Sequence, residues 1–151
     1  MKTTDHLEEN LRHKNLRVTS ARKVIFEILQ NSDRALSPKE VCEFLKRTTK
    51  LQADTASVYR NLTLFSEIGL THRLQSGKYT LCQHGEDHSH HTGHEHMHIV
   101  ATCTSCGKTQ EVPSHDRNLC NLAGGFKTYI EGFSTFTGIT LAGYCEACSK
   151  N

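Results

Sequence analysis

No stretch of this 151-residue sequence is apolar for long enough to cross a bilayer. Residues 1–20 lack the apolar core of a secretory leader. A nucleophile elbow, a glycine-rich phosphate loop and a His-Glu-x-x-His pair are also missing. These absences predict a soluble intracellular chain and weigh against an enzyme. A zinc hydrolase is the rival enzyme reading, with Glu111 as base beside an open coordination position. Nothing else in the sequence supports it.

The length allows one or two small domains. The net charge of +2 conceals a division. Residues 1–80 carry 14 Lys/Arg against 9 Asp/Glu, a balance of +5, whereas residues 81–151 carry 4 against 7, a balance of −3. A basic half joined to an acidic half suggests a polyanion on one side and a metal on the other.

What the chain does have is cysteine and histidine, 7 and 11 of them. Four cysteines form two Cys-x-x-Cys pairs, Cys103/Cys106 and Cys145/Cys148. A gap of two residues lets one tight turn present two sulfurs to one ion, and two such pairs complete a closed tetrahedral zinc site. The 38 residues between the pairs make this a clamp on a subdomain rather than a compact knuckle. Disulfide pairing is the competing reading, and a reducing cytosol disfavours it. Cys42 and Cys120 have no evident partners and read as core thiols.

Residues 1–70 read as helical. Arg17-Val18-Thr19-Ser20 is a turn with an N-cap, and Val24, Ile25, Ile28 and Leu29 follow on one apolar face. Ser37-Pro38-Lys39-Glu40 is a capping box with proline at the first helical position, ahead of an apolar face of Val41, Phe44 and Leu45. Asp54 or Thr55 caps a third helix. It has Val58, Leu62 and Phe65 on one side, Ser57, Arg60 and Asn61 on another, and Gly69 at its end. Two strand-like runs around Ser76-Gly77 make a hairpin. Three helices and a hairpin describe a winged helix-turn-helix, whose third helix would enter the major groove. Tyr59 and Arg60 are its candidate reading residues. A core-packed Tyr59 and a merely solvated Arg60 are the competing readings.

Four blocks resemble the Fur family of metal-responsive bacterial repressors. They are Asn15-Leu-Arg17-Val-Thr-Ser-Ala-Arg22, Thr55-Ala-Ser57-Val58-Tyr59-Arg60-Asn61-Leu62, the His-rich run leading to Cys103-Thr-Ser-Cys106-Gly107, and Gly143-Tyr-Cys145-Glu-Ala-Cys148. The resemblance covers almost the whole chain in order. It implies an α+β protein: a winged helix-turn-helix domain over 1–83, a His-rich hinge over 84–97, and an α/β zinc-containing dimerisation domain over 98–151. It further implies a homodimer on A·T-rich palindromic duplex DNA, with Tyr59, Arg60, Ser57, Asn61 and Arg17 at the interface.

The effector metal is a separate question, because such regulators sense iron, zinc, manganese, nickel, peroxide or haem. Cys82 follows the hairpin, ten residues after His72. A thiolate is a soft ligand that favours zinc over iron or manganese. The run His72-Arg-Leu…Tyr79-Thr-Leu-Cys82 resembles the zinc-uptake (Zur) branch. That resemblance implies a regulatory zinc on His72, Cys82, His96 and Glu111, and so two zinc ions per chain, one structural and one regulatory. Read singly, Cys82 is a small buried thiol, His72 a wing residue near phosphate and Glu111 a surface carboxylate.

The chain departs from the branch where Thr137 stands eight residues before Cys145, a position usually held by histidine. The tract from His84 to His98 also carries seven histidines. Composition alone lets it bind zinc, nickel or copper, and His94 or His98 could replace His96. A zinc buffer or chaperone is therefore a further rival, although it leaves the Val58-Tyr59-Arg60 helix unexplained. In the acidic half, His98–Cys103 and Lys108–Val112 read as strands. Ser114 opens a helix ending at Gly124-Gly125, and Phe133–Gly143 is another β segment.

Overall fold

Four helices lead the chain, each with a legible start or stop. The computed structural model describes residues 3–50, 53–82, 98–112, 121, 125–126, 128–132 and 138–150. Helix α1 (Thr3–His13) buries only Leu7 and Leu11, one turn apart. It closes on Asn15, whose φ of 55° lets the Leu16 N–H reach the Leu11 carbonyl at 2.7 Å. Helix α2 (Ser20–Gln30) starts at Thr19, whose hydroxyl accepts from the Arg22 N–H. Helix α3 (Pro38–Thr48) has the full capping box between Ser37 and Glu40. Helix α4 (Thr55–Glu67) starts at Asp54, which accepts from the Ser57 N–H. It stops at Gly69, φ 80°, where Gly69 N–H bonds Ser66 O and Leu70 N–H bonds Phe65 O. A side chain at that φ would be strained, so glycine belongs there.

The chain divides into two compact units, Met1–Gly85 and Glu86–Asn151. In the first, the core gathers Leu7, Leu11, Ile25, Phe26, Leu29, Leu36, Val41, Cys42, Leu45, Val58, Leu62, Phe65, Leu70 and Tyr79. Phe26 and Phe65 meet edge to face at 6.1 Å. Two details differ from the sequence reading. Helix α3 turns Cys42 inward, its thiol donating to the Ala53 carbonyl at 3.3 Å, and leaves Phe44 exposed. Helix α2 buries Phe26 beside Ile25 because it packs against α1, α3 and α4 rather than one neighbour.

A hairpin follows α4. Strand β1 (Thr71–Arg73) runs antiparallel to β2 (Tyr79–Leu81), with Thr71 opposite Leu81, His72 opposite Thr80 and Arg73 opposite Tyr79. Gly77, φ 76°, makes the turn. Leu36, between α2 and α3, exchanges both backbone hydrogen bonds with Tyr79. Helices followed by this small sheet make a winged helix-turn-helix.

The second unit holds a sheet of order β4-β3-β5, from β3 (His98–Cys103), β4 (Thr109–Val112) and β5 (Gly138–Gly143). Strand β3 pairs antiparallel with β4 and parallel with β5. A short helix α5 (Glu146–Ser149) follows. The helix expected from Ser114 to Gly124-Gly125 falls largely outside the described residues; Asn121, Gly125, Phe126, Thr128 and Tyr129 are helical. Gly132, in the turn that follows, has a left-handed φ of 84°. Residues 133–137, with Thr137, and Cys120 lie outside the described residues. The architecture is α+β, and no described helix is long and apolar enough to cross a membrane.

Candidate metal sites and nucleic-acid interface

Cys103 is the last residue of β3, and the chain doubles back over Ser105 to Gly107 before β4. Gly107, φ 77°, allows this, with its N–H bonded to the Cys103 carbonyl at 2.9 Å. Thr104 ties the turn to the end of β5 through its N–H to the Gly143 carbonyl at 2.8 Å. Cys145 lies just past that strand and Cys148 in the first turn of α5. Parallel pairing of β3 with β5 therefore brings together two cysteine pairs that are distant in sequence.

The four sulfurs all lie within 4.8 Å of one another. Cys106 and Cys145 are 3.7 Å apart, against about 3.8 Å for the edge of a tetrahedron with zinc–sulfur bonds of about 2.3 Å. The Cys145 N–H also donates to the Cys103 sulfur at 3.3 Å. Backbone N–H groups of Cys106, then of Cys145, hold the Cys103 thiol down at about 6. At Cys148 the Ser105 side chain pulls the other way, but the neighbouring Cys145 and Cys106 thiols raise it to about 11. One thiolate forms readily here, and sulfurs this close resist further ionisation unless a cation shares the charge. The donor set, spacing and turn geometry all fit a closed structural zinc.

A second cluster of donors starts on the hairpin. Side chains alternate along a strand, so the register sorts the hairpin into two faces. Thr71, Arg73, Tyr79 and Leu81 share one, and Thr71 and Tyr79 are buried in the core. His72 and Thr80 point the other way. The Cys82 N–H bonds the Leu70 carbonyl at 3.0 Å, extending the ladder by one pair. That makes Cys82 the diagonal neighbour of His72 on the same face. A ring nitrogen of His72 and the Cys82 sulfur lie within 4.8 Å. Imidazole and thiol at this separation suit a borderline-soft ion. In the second unit, Glu111 sits opposite Val100 on β4 and is buried, 6% exposed, not on the surface. His98 opens β3, whereas His94 and His96 lie outside the described residues.

On α4, Tyr59 and Arg60 are exposed, so Tyr59 is not a core residue. Asn61 is engaged within the protein. Its Oδ1 accepts from Arg22 Nε at 3.2 Å and its Nδ2 donates to the Ser57 carbonyl at 2.9 Å. The Arg22 guanidinium also bonds the Arg17 carbonyl. Asn61 thus braces α4 against α2 and the turn at Arg17, while Ser57 spends its N–H on the cap. Sequence reasoning missed Arg73, whose guanidinium lies 5.9 Å from the centroid of the Tyr59 ring. Alternation from His72 could have found it, because neighbours on a strand face opposite ways.

Residues 13–121 match the model of the Ferric uptake regulator family. The zinc uptake regulation protein of Escherichia coli (strain K12) is 30% identical over 99 residues, 65% of this chain and 54% of that protein. The chain thus spans about half the length of the curated relatives it matches. A zinc uptake regulator complexed with zinc and DNA superposes with a TM-score of 0.77 at 23% identity, covering 99% of this chain and 94% of that one. The Helicobacter pylori ferric uptake regulator, described as having three functional metal-binding sites, superposes with a TM-score of 0.60 at 20% identity, covering 97% and 91%. At these identities the superpositions establish the fold and do not choose between zinc and iron.

Proposed function

The chain belongs to the Ferric uptake regulator family, and from that premise we propose that it is a zinc-responsive transcriptional repressor. In this reading it acts as a cytoplasmic homodimer on A·T-rich palindromic operators of zinc-uptake genes. The observation that carries the choice of zinc is the thiol of Cys82 beside the imidazole of His72 on one face of the hairpin. A sensor of iron or manganese has no use for a thiolate that those harder ions bind less well.

The four-cysteine cluster would hold one zinc per chain and serve the fold. His72 and Cys82 would hold a second, completed by Glu111 and by His96 or its neighbours His94 and His98. When bound, that ion supplies positive charge shared by two imidazoles, a thiolate and a carboxylate. His72 and Cys82 belong to the winged helix, and Glu111 and His96 to what we take as the hinge and dimerisation domain. Ligation by all four would restrict the pivoting of the two domains. In a twofold dimer this sets the separation of the two α4 helices, which must match half-sites about one DNA turn apart. Without the ligation only a fraction of molecules are competent, and apparent affinity falls by that fraction. DNA must in turn tighten zinc binding by the same factor. Arg60 and Tyr59 face the DNA, while Arg22 and Asn61 keep their helix at a fixed angle to α2.

Gel shifts with Cys82→Ser test this reading. The variant should remain a folded dimer with one zinc per chain and lose zinc-dependent DNA binding. Parental zinc response from Cys82→Ser would refute the site.

A further inference from the structure

We infer that Arg73, on the hairpin, is a DNA-contacting residue held in place by Tyr59, so that wing and recognition helix grip one phosphate-lined edge as a unit. The inference deepens the proposed function and rests on α4 being the helix that meets DNA.

Arg73 lies on the face of the hairpin that carries the buried Thr71 and Tyr79, at its exposed rim. Its guanidinium lies over the Tyr59 ring, and among the described residues no acceptor binds it. A guanidinium drawn to an aromatic face by cation–π attraction spends no N–H donor on it, and that free fork matches phosphate oxygens. The contact also works in reverse. Tyr59 is 41% exposed, and a ring pinned by Arg73 loses less rotamer freedom when DNA arrives. The two residues come from different elements, α4 and β1, which the Leu70 N–H to the Phe65 carbonyl and the Ser66–Thr71 hydroxyl pair, both 2.8 Å, tie together. The partner is the sugar–phosphate backbone of duplex DNA. Among the described residues no acidic side chain pairs with Arg73, which an internal brace would require.

The test is a double-mutant cycle on the zinc-loaded full chain. Binding to a labelled A·T-rich palindromic duplex is measured by fluorescence anisotropy across a salt series. Arg73→Ala should weaken binding about five- to tenfold and reduce the salt slope by about one. Arg73→Lys should recover the slope but only part of the affinity, because lysine keeps the charge and loses the guanidinium fork. In a Tyr59→Ala background, Arg73→Ala should cost about twofold or less, since the contact is already gone. Arg60→Ala separates the two levels. If Arg60→Ala weakens binding and Arg73→Ala does not, the inference is wrong and the proposed function stands. If neither changes binding, α4 does not meet DNA and both fail. Losses in Arg73→Ala and Tyr59→Ala that simply multiply would show two independent contacts and overturn the coupling.

Discussion

Cys103→Ser is the most decisive substitution for the second unit. Cys103 and Cys145 stand 42 residues apart, at the ends of adjacent parallel strands. Cross-linking a loop of that length removes about 4 kcal/mol of chain entropy from the unfolded state. A small domain has only about 5–15 kcal/mol in total. The buried apolar residues described in this unit, Ile99, Val100 and Cys103, are few and sit on one strand. Strand β5 meanwhile exposes Leu141 and Tyr144 follows it into solvent. With so few buried apolar residues among those described, the unit should depend on a zinc held here, since structural zinc affinity is folding free energy. Serine is a hard, poorly ionised donor and does not replace the sulfur. The variant should therefore bind no zinc at this site, lose strand signal in far-UV circular dichroism and elute as monomer or aggregate. Helical signal from the first unit should persist, because its core draws on its own residues. Chelation of the parent protein should give the same spectrum. A well-folded, zinc-free dimer from Cys103→Ser would refute the argument.

Two further outcomes are expected. Arg60→Ala should weaken operator binding by about 1–3 kcal/mol if it reads a base, or lower the salt slope by about one if it holds a phosphate; salt-resolved anisotropy distinguishes these. Glu40 should give the first unit an acid-labile component. Burial raises its carboxyl, but the Ser37 backbone N–H and side chain, Arg34 and Lys78 outweigh this and hold it at about 2 rather than 4.5. A depressed acid contributes its stability fully above the unfolded value and loses it as pH falls from 4.5 toward 2. Glu40→Gln keeps the capping geometry and removes the charge. Urea melts should find it less stable by about 1–2 kcal/mol at neutral pH, after allowance for partial solvent screening, with the gap closing near pH 2.

Much of the first unit was legible because its boundaries are written in single residues. Thr19, Ser37 and Asp54 open helices with side-chain oxygens, and Gly69 closes one with a φ that other residues resist. Side-chain facing was harder. On α3, Val41 and Leu45 fit a stripe with either Cys42 or Phe44, and the neighbours of α3 decide between them. Helix α1 offers just two buried leucines to a periodicity argument. Of the DNA-facing candidates, the Val58-Tyr59-Arg60 core could be placed from its sequence, but the diversion of Asn61 to Arg22 depends on how α2 crosses α4.

The hairpin makes the point most sharply for the metal. The sequence has His72 and Cys82 ten residues apart, a spacing that says nothing about facing until the register is known. Here odd residues oppose odd and even oppose even, with His72 opposite Thr80 and Cys82 one ladder step beyond. A slip of one residue in that pairing would turn Cys82 inward while His72 stayed outside, and the pair would be lost. The register is fixed from the other side, where Tyr79 is fully buried and bonded to Leu36 through both backbone groups. The packing that seats Tyr79 in the core is thus what brings a soft donor beside an imidazole. Solved regulators of zinc and of ferric uptake share this fold, so in the proposed reading the choice of ion rests on which donors the hairpin presents, and in this chain one candidate is sulfur.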